Sequence, residues 1–94
     1  MTIRIVRADD IIWRRIEDEV VLIKDDGLAV HVLNKTAAII WEMCDGENAI
    51  EKIAATLCER FDISPDEAIS DVKDTINKLE NVGLLKLVEG VTGQ

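Results

Sequence analysis

The chain has few of the residues that catalysis and metal binding require. Its 94 residues include one histidine, two cysteines, one proline and no tyrosine, and only 3% are aromatic. A nucleophile needs a neighbouring base, and a metal site needs several histidine, cysteine or carboxylate ligands. His31 lies between Val30 and Val32 on a predicted strand. A partly covered side chain on that strand is a simpler interpretation of His31 than a metal ligand or a catalytic base. The sequence therefore predicts a protein that is not an enzyme and uses no metal or cofactor.

Long apolar runs are also missing. The longest is Ala37 to Trp41, far below the roughly 20 residues that cross a bilayer. The N-terminus has no secretory signal, so we expect a cytoplasmic protein that makes no membrane contact. Cys44 and Cys58 fall on the apolar stripes of two predicted helices and are expected to be buried free thiols. A disulfide across the helices or a redox role is the alternative.

Negative charge dominates the rest of the composition. The net charge is −8, but residues 1–15 carry four arginines against two aspartates, which leaves −10 on residues 16–94. Such a field repels nucleic acid and anionic lipid and favours solubility. With 48% hydrophobic residues the chain is expected to fold as a single globular domain over residues 1–94. Its partners should be proteins, peptides or cations.

The first third of the chain predicts strands. Residues 11–15 and 20–23 have strand-like apolar patterns, and residues 28–33 form a third apolar stretch. Asp25, Asp26 and Gly27 separate the last two, and the glycine suits the positive φ of a tight hairpin. These signals predict a three-stranded antiparallel meander.

Three helices are predicted after the meander, each with a start signal. Asn34 is placed to cap the first, and Asn48 with Glu51 resembles a capping box for the second. Ser64 and Pro65 are a cap and a first helical residue for the third.

Glycines predict where two of these helices end. Gly46 is placed to end the first helix and Gly83 the third, after which residues 84–88 form a short strand or an extended tail. A three-stranded antiparallel N-terminal sheet followed by three helices is an α+β domain, and its layout resembles a winged helix.

A winged-helix layout raises DNA binding as an alternative function. The last helix of such a domain commonly enters the major groove, where it must face phosphates. Residues 66–82 carry five acidic and two basic side chains, a net charge of −3. That charge argues against a nucleic-acid partner.

The stretch from residue 28 to residue 33 has neither a charge nor a proline. Natural sheets usually protect a free edge with such residues, with a bulge or with a covering element. Either residues 1–7 or 84–88 cover this strand, or another chain does. An extended peptide that adds to the sheet is the natural occupant.

Several blocks of the sequence resemble the PqqD family. They are Trp13-Arg14, Val20 to Leu22, Leu33 to Glu42 with its Leu-Asn-x-Thr-Ala core, Asp45-Gly46, Phe61, Asp71-Val72 and Gly83 to Leu85. The resemblance covers roughly residues 9–87. Members of that family are peptide chaperones of pyrroloquinoline quinone biosynthesis, and their relatives recognise ribosomally made peptides that are later modified. The resemblance implies a non-catalytic, winged-helix-like domain.

The family resemblance also implies where a precursor peptide binds. Its leader segment would lie as an added strand between the third strand and the third helix, while an enzyme, often of the radical S-adenosylmethionine type, modifies the rest. Helical spacing then selects one flank of the third helix, with a solvated face as the alternative. The predicted peptide-binding residues are Leu28, Ala29, Val30, His31, Val32 and Leu33 on the strand, and Ala68, Asp71, Thr75, Lys78 and Val82 on the helix.

Other interactions stay open at the level of sequence. A protein–protein adaptor without a modified peptide is a further alternative function. The basic segment with Arg4, Arg7, Arg14 and Arg15 is a candidate surface for an acidic patch on the modifying enzyme. An open edge can also pair with its own copy, so either a monomer or a strand-exchanged dimer is compatible with the sequence.

Overall fold

The described part of the protein consists of two small antiparallel sheets and three helices. The computed structural model describes residues 2–24 and 30–90, in which no helix is long and apolar enough to cross a membrane. The α+β class, with three helices after a three-stranded sheet, is confirmed. In chain order the elements are β1 (Thr2–Arg7), β2 (Ile11–Ile16), β3 (Glu19–Lys24), β4 (Val30–Leu33), α1 (Lys35–Met43), α2 (Ile50–Arg60), α3 (Pro65–Asn81) and β5 (Leu85–Gly90).

The three-stranded sheet has the predicted meander order β2-β3-β4, with antiparallel pairs throughout. β4 begins at Val30, two residues later than the start of the predicted strand. Leu28, Ala29 and the predicted turn at residues 25–27 lie outside the described residues. β4 is therefore an edge strand that runs directly into α1.

The second sheet joins the two ends of the chain. β1 pairs with β5 from Thr2↔Gly90 to Arg7↔Leu85. On its other side β1 meets the α1–α2 loop, where Gly46 N donates to the Ile5 carbonyl over 3.0 Å. The alternative in which residues 1–7 or 84–88 cover β4 is therefore wrong, because these two segments pair with each other.

Two of the three predicted helix caps are present. Ala37 N donates to Asn34 Oδ1 over 2.9 Å, and Glu67 N donates to Ser64 Oγ over 3.2 Å. The capping box predicted at Asn48 is wrong. α2 begins after Ala49 without a side-chain cap, and Asn48 Nδ2 instead donates to the Met43 carbonyl at the end of α1.

Gly83 ends α3 as predicted. With φ at +81°, it allows Leu84 N to donate to the Leu79 carbonyl and Gly83 N to that of Glu80, the two bonds of a Schellman motif. Gly46 has a different role from the one predicted. α1 stops at Met43, and Gly46, with φ at +86°, shapes the loop that meets β1.

The core lies between α1 and the surrounding elements, with Trp41 at its centre. Trp41 is fully buried and meets the Trp13 ring edge to face at 6.0 Å. The Arg7 guanidinium lies 5.3 Å from the Trp13 ring and 5.9 Å from the Trp41 ring. It also donates hydrogen bonds to the Trp41 and Glu42 carbonyls at the C-terminal end of α1, where a positive charge is favourable. These contacts tie β1, β2 and α1 together.

The tight turn between β2 and β3 holds Glu17 in a strained backbone conformation. Glu17 has φ at +55°, which non-glycine residues rarely adopt. Since the loop has two residues and its first has positive φ, its pattern is that of a type II′ turn, where glycine is favoured. We expect Glu17→Gly to raise the free energy of unfolding by about 0.5–1 kcal/mol in urea titrations, and Asp18→Gly not to. A loss of stability in Glu17→Gly would contradict the strain.

Candidate functional site

The candidate site is the open edge of β4. β3 pairs with one side of this strand, and no strand among the described residues pairs with the other. β2, the opposite edge of the same sheet, carries Arg14 and Arg15, charges that discourage strand addition. β4 carries no such charge, so it is the less protected of the two edges.

The β2–β3 turn determines which main-chain groups of β4 are free. In a two-residue hairpin the closing pair, here Ile16↔Glu19, exchanges hydrogen bonds, and hydrogen-bonded pairs then alternate along the ladder. Glu19, Val21 and Ile23 therefore direct their N–H and C=O groups toward β2. Val20 and Leu22 direct theirs toward β4.

The same alternation extends to β4. Val20 pairs with Leu33 and Leu22 with His31, so His31 and Leu33 are bonded to β3. The N–H and C=O groups of Val30 and Val32 point away from β3. The edge thus presents two donors and two acceptors at the spacing that an added strand requires.

Side chains of β4 alternate between the two faces of the sheet. Val30 and Val32 point to the face away from the helices and are 62% and 60% exposed. His31 is half-buried and Leu33 is buried on the opposite face. A strand added beside β4 would place alternate side chains next to each of these two sets.

The predicted flank of α3 lies opposite the side of this helix that faces the two-stranded sheet. Lys73 and Asn77 line a cavity of about 340 Å³ with Ile5 and Leu87, so their side of the helix faces the two-stranded sheet. The C-terminal end of the helix contacts β3, whose Lys24 Nζ donates to the Val82 carbonyl over 3.4 Å. Helical spacing puts the predicted flank on the side opposite Lys73 and Asn77. Four predicted residues share that side; Asp71 and Thr75 are half-buried, and Lys78 and Val82 are exposed.

Ala68 was predicted on this flank, but the structure places it elsewhere. It is fully buried in the core, one turn before Val72 on the buried stripe of α3. A methyl group at this position is enclosed by the protein and cannot contact a peptide. The prediction of Ala68 as a binding residue is therefore wrong.

The basic N-terminal segment does not form one surface. Arg7 is committed to the tryptophans and to the end of α1, as described above. Arg15 pairs with Glu42 at 2.7 Å. Arg4 and Arg14 are exposed but belong to different sheets. The four arginines predicted as one docking surface therefore lie in four different surroundings.

The two cysteines are free, as predicted, but only Cys44 is fully buried; Cys58 is half-buried. Burial raises the pKa of the Cys44 thiol to about 12, so it is almost entirely protonated near neutral pH.

We expect iodoacetamide to label Cys58 in the native protein and Cys44 only after denaturation, as peptide mass spectrometry would record. Rapid native labelling of Cys44 would contradict its burial.

The site has hydrogen-bonding groups rather than reactive ones. Within residues 2–24 and 30–90, no three histidine, cysteine or carboxylate side chains are close enough together to hold a metal ion. The open edge of β4 offers the free main-chain groups of Val30 and Val32. This arrangement can bind an extended chain.

Two features of the surroundings were not predicted. Lys24 joins the end of β3 to the end of α3, a contact between residues 58 positions apart. The face of the sheet that Val30 and Val32 share with β2 and β3 is largely apolar. Ile12, Arg14 and Ile16 alternate with Trp13 and Arg15, and this alternation was the signal that could have revealed the face.

Comparisons with known proteins agree with this architecture. TbiB1 in complex with the TbiA(beta) leader peptide superposes with a TM-score of 0.78 and 24% identity, over 94% of this chain and 99% of that one. Lasso peptide synthetase B1 complexed with the leader peptide superposes with a TM-score of 0.80 and 18% identity. The match covers 88% of this chain and 98% of that one. The structure of the heterocyclase TruD superposes with a TM-score of 0.66 and 17% identity. The match covers 98% of this chain but only 12% of TruD.

Sequence comparison identifies the family. No curated protein matches the chain. The family model described as coenzyme PQQ synthesis protein D (PqqD) matches residues 19–85, well over half of the chain. The chain therefore belongs to the PqqD family.

Proposed function

We propose that this protein is a non-catalytic peptide chaperone. It binds the leader segment of a ribosomally made precursor peptide by strand addition to residues 28–33 and presents it to a modifying enzyme, of the radical S-adenosylmethionine type, in the cytoplasm. The observation that carries the proposal is the edge position of β4 with its outward main-chain groups at Val30 and Val32. Family membership and the likeness to two leader-bound proteins support it.

The leader would lie between β4 and α3. Its main chain pairs with Val30 and Val32, while alternate side chains face His31 and the flank formed by Asp71, Thr75, Lys78 and Val82. Four main-chain hydrogen bonds at about 1 kcal/mol each, plus one or two apolar contacts, give dissociation constants on the order of micromolar. The chaperone adds no chemistry of its own; it raises the local concentration of the peptide at the enzyme.

The protein works as a monomer in this proposal. An open β4 edge can pair with a second copy, and such a strand-exchanged dimer would occupy the groups that the leader needs. Leader binding and dimerisation through β4 would therefore compete.

A peptide-binding assay tests the function. Overlapping synthetic peptides, labelled with a fluorophore, would cover the short open reading frames beside the gene. We expect one leader segment to raise fluorescence polarisation with a dissociation constant of about 1–10 µM, and its scrambled version not to bind. Duplex DNA should not compete, because α3 carries a net negative charge. Binding of DNA and of no peptide up to about 100 µM would overturn the proposal.

A further inference from the structure

The three-stranded sheet has an apolar face that no described element covers. The helices pack on the opposite face, where Val20 and Leu22 are fully buried. Sheets with one face in water normally carry polar residues on that face. The outer face, as we call it, instead carries six aliphatic side chains: Ile12, Ile16, Val21, Ile23, Val30 and Val32.

These side chains form one contiguous surface. Ile12 and Ile16 on β2 are 65% and 51% exposed, and the two valines of β4 are exposed to a similar degree. Val21 and Ile23 lie between them on β3 and are half-buried. A shallow depression of about 220 Å³ follows β2 and β3 across this surface. An aliphatic patch of this kind on a small protein commonly marks an interaction site.

Two charged residues lie on the outer face. Glu19 is opposite Ile16, next to the β2–β3 turn, and Arg14 lies farther inside the face. Arg14 is directly opposite Val21 and is exposed, and it makes no ion pair within the described part of the chain. Its neighbour Arg15 points to the other face, where it pairs with Glu42. Arg14 makes no ion pair with Glu19 either, so an arginine unpaired among the described residues stands inside an apolar surface of a chain whose net charge is −8. A partner that covers this face must supply an acidic group for it.

The outer face alone is too small for a stable dimer of this chain. Two strands of six residues and one of four span at most about 14 by 20 Å, or less than about 300 Å², since strands lie about 4.8 Å apart and rise about 3.3 Å per residue. A stable dimer buries about 800 Å² on each partner. An area of this size favours a different protein that binds transiently.

The position of the face indicates which protein that is. Val30 and Val32 contribute their side chains to the outer face and their main-chain groups to the open edge. A protein docked on the outer face would therefore lie directly beside a leader held at that edge. The enzyme that modifies the peptide must come this close.

We infer that the outer face docks the peptide-modifying enzyme, through an apolar surface of the enzyme that carries a carboxylate opposite Arg14. The inference rests on the proposed function for the identity of the partner. It assigns separate surfaces to the two partners: the edge and the α3 flank to the leader, and the outer face to the enzyme.

Binding measurements on matched variants test the inference. The probes are the purified modifying enzyme encoded beside the gene and the leader peptide. We expect Arg14→Glu to weaken enzyme binding at least about tenfold, whereas Arg14→Lys, which keeps the charge, changes it less than about threefold. Arg4→Glu makes the same charge change on β1 and should have little effect. Ile12→Thr, which keeps a β-branched residue, should weaken enzyme binding about fivefold.

Each outcome separates the two proposals. All four variants should bind the leader as tightly as the wild type. If Arg14→Glu and Ile12→Thr bind the enzyme as well as the wild type does, the docking surface is wrong. Sedimentation that shows a wild-type dimer dissociated by Arg14→Glu would assign the face to self-association and also overturn it. If the enzyme binds through this face but no leader binds the edge, the proposed function fails while the docking surface stands.

Discussion

Replacing Trp41 by alanine should lower the free energy of unfolding by about 3–5 kcal/mol, the range for large aromatic residues in a core. Trp41 is fully buried in the last turn of α1 and packs against Trp13 and the Arg7 guanidinium. A domain of this size has about 5–15 kcal/mol of stability in total, so the variant would be close to unfolding. Urea titration followed by circular dichroism would measure the loss.

Trp41→Phe is the matched control. The Trp41 indole N–H is buried and has no hydrogen-bond partner among the described residues. Phenylalanine removes this unpaired donor while it keeps an aromatic ring, so part of the lost packing is offset. We expect the phenylalanine variant to lose less than half as much stability as the alanine variant. Equal losses would contradict this expectation, because they would show that a phenyl ring at this position restores none of the lost packing.

Val32→Pro should abolish tight leader binding and leave the fold intact. Val32 N–H points to the open edge, so proline removes a donor that the leader needs without removing a bond to β3. The missing hydrogen bond and the protruding ring together should weaken leader binding at least about tenfold. Fluorescence polarisation with the labelled leader would measure this loss.

Two variants control for the proline. Val32→Thr keeps the N–H group and a β-branched side chain, and its affinity should stay within about threefold of the wild type. His31→Pro removes a donor that is bonded to β3, so it should lower thermal stability first and binding only as a consequence. If Val32→Pro binds the leader normally, the edge is not the binding surface.

Local signals were sufficient to predict most of the elements. Asn34, Ser64 and Gly83 marked helix boundaries correctly, because caps depend on hydrogen bonds within a few residues. Asn48 carried an equally good local signal, yet it bonds to the end of α1 because that end lies close by in space. The α+β class followed from the order of these elements.

Contacts between distant segments were not predictable in the same way. The pairing of β1 with β5 joins the two ends of the chain, and no local pattern in either segment names its partner. Arg7 and Arg15 looked like surface charges, but each is used to hold α1 in place. Ala68 looked like part of a flank because its small side chain gave no sign of burial. The open edge at β4 was predicted, since it depended only on the absence of protecting residues.

Amide hydrogen exchange along β4, followed by NMR, tests strand addition most directly. In the free protein Val30 and Val32 amides should exchange quickly, and His31 and Leu33 amides, which are bonded to β3, slowly. A saturating leader peptide should slow exchange at Val30 and Val32 by at least about tenfold and leave the other two unchanged. Unchanged exchange at Val30 and Val32 while the leader is bound, or protection confined to α1 and α2, would contradict binding at this edge.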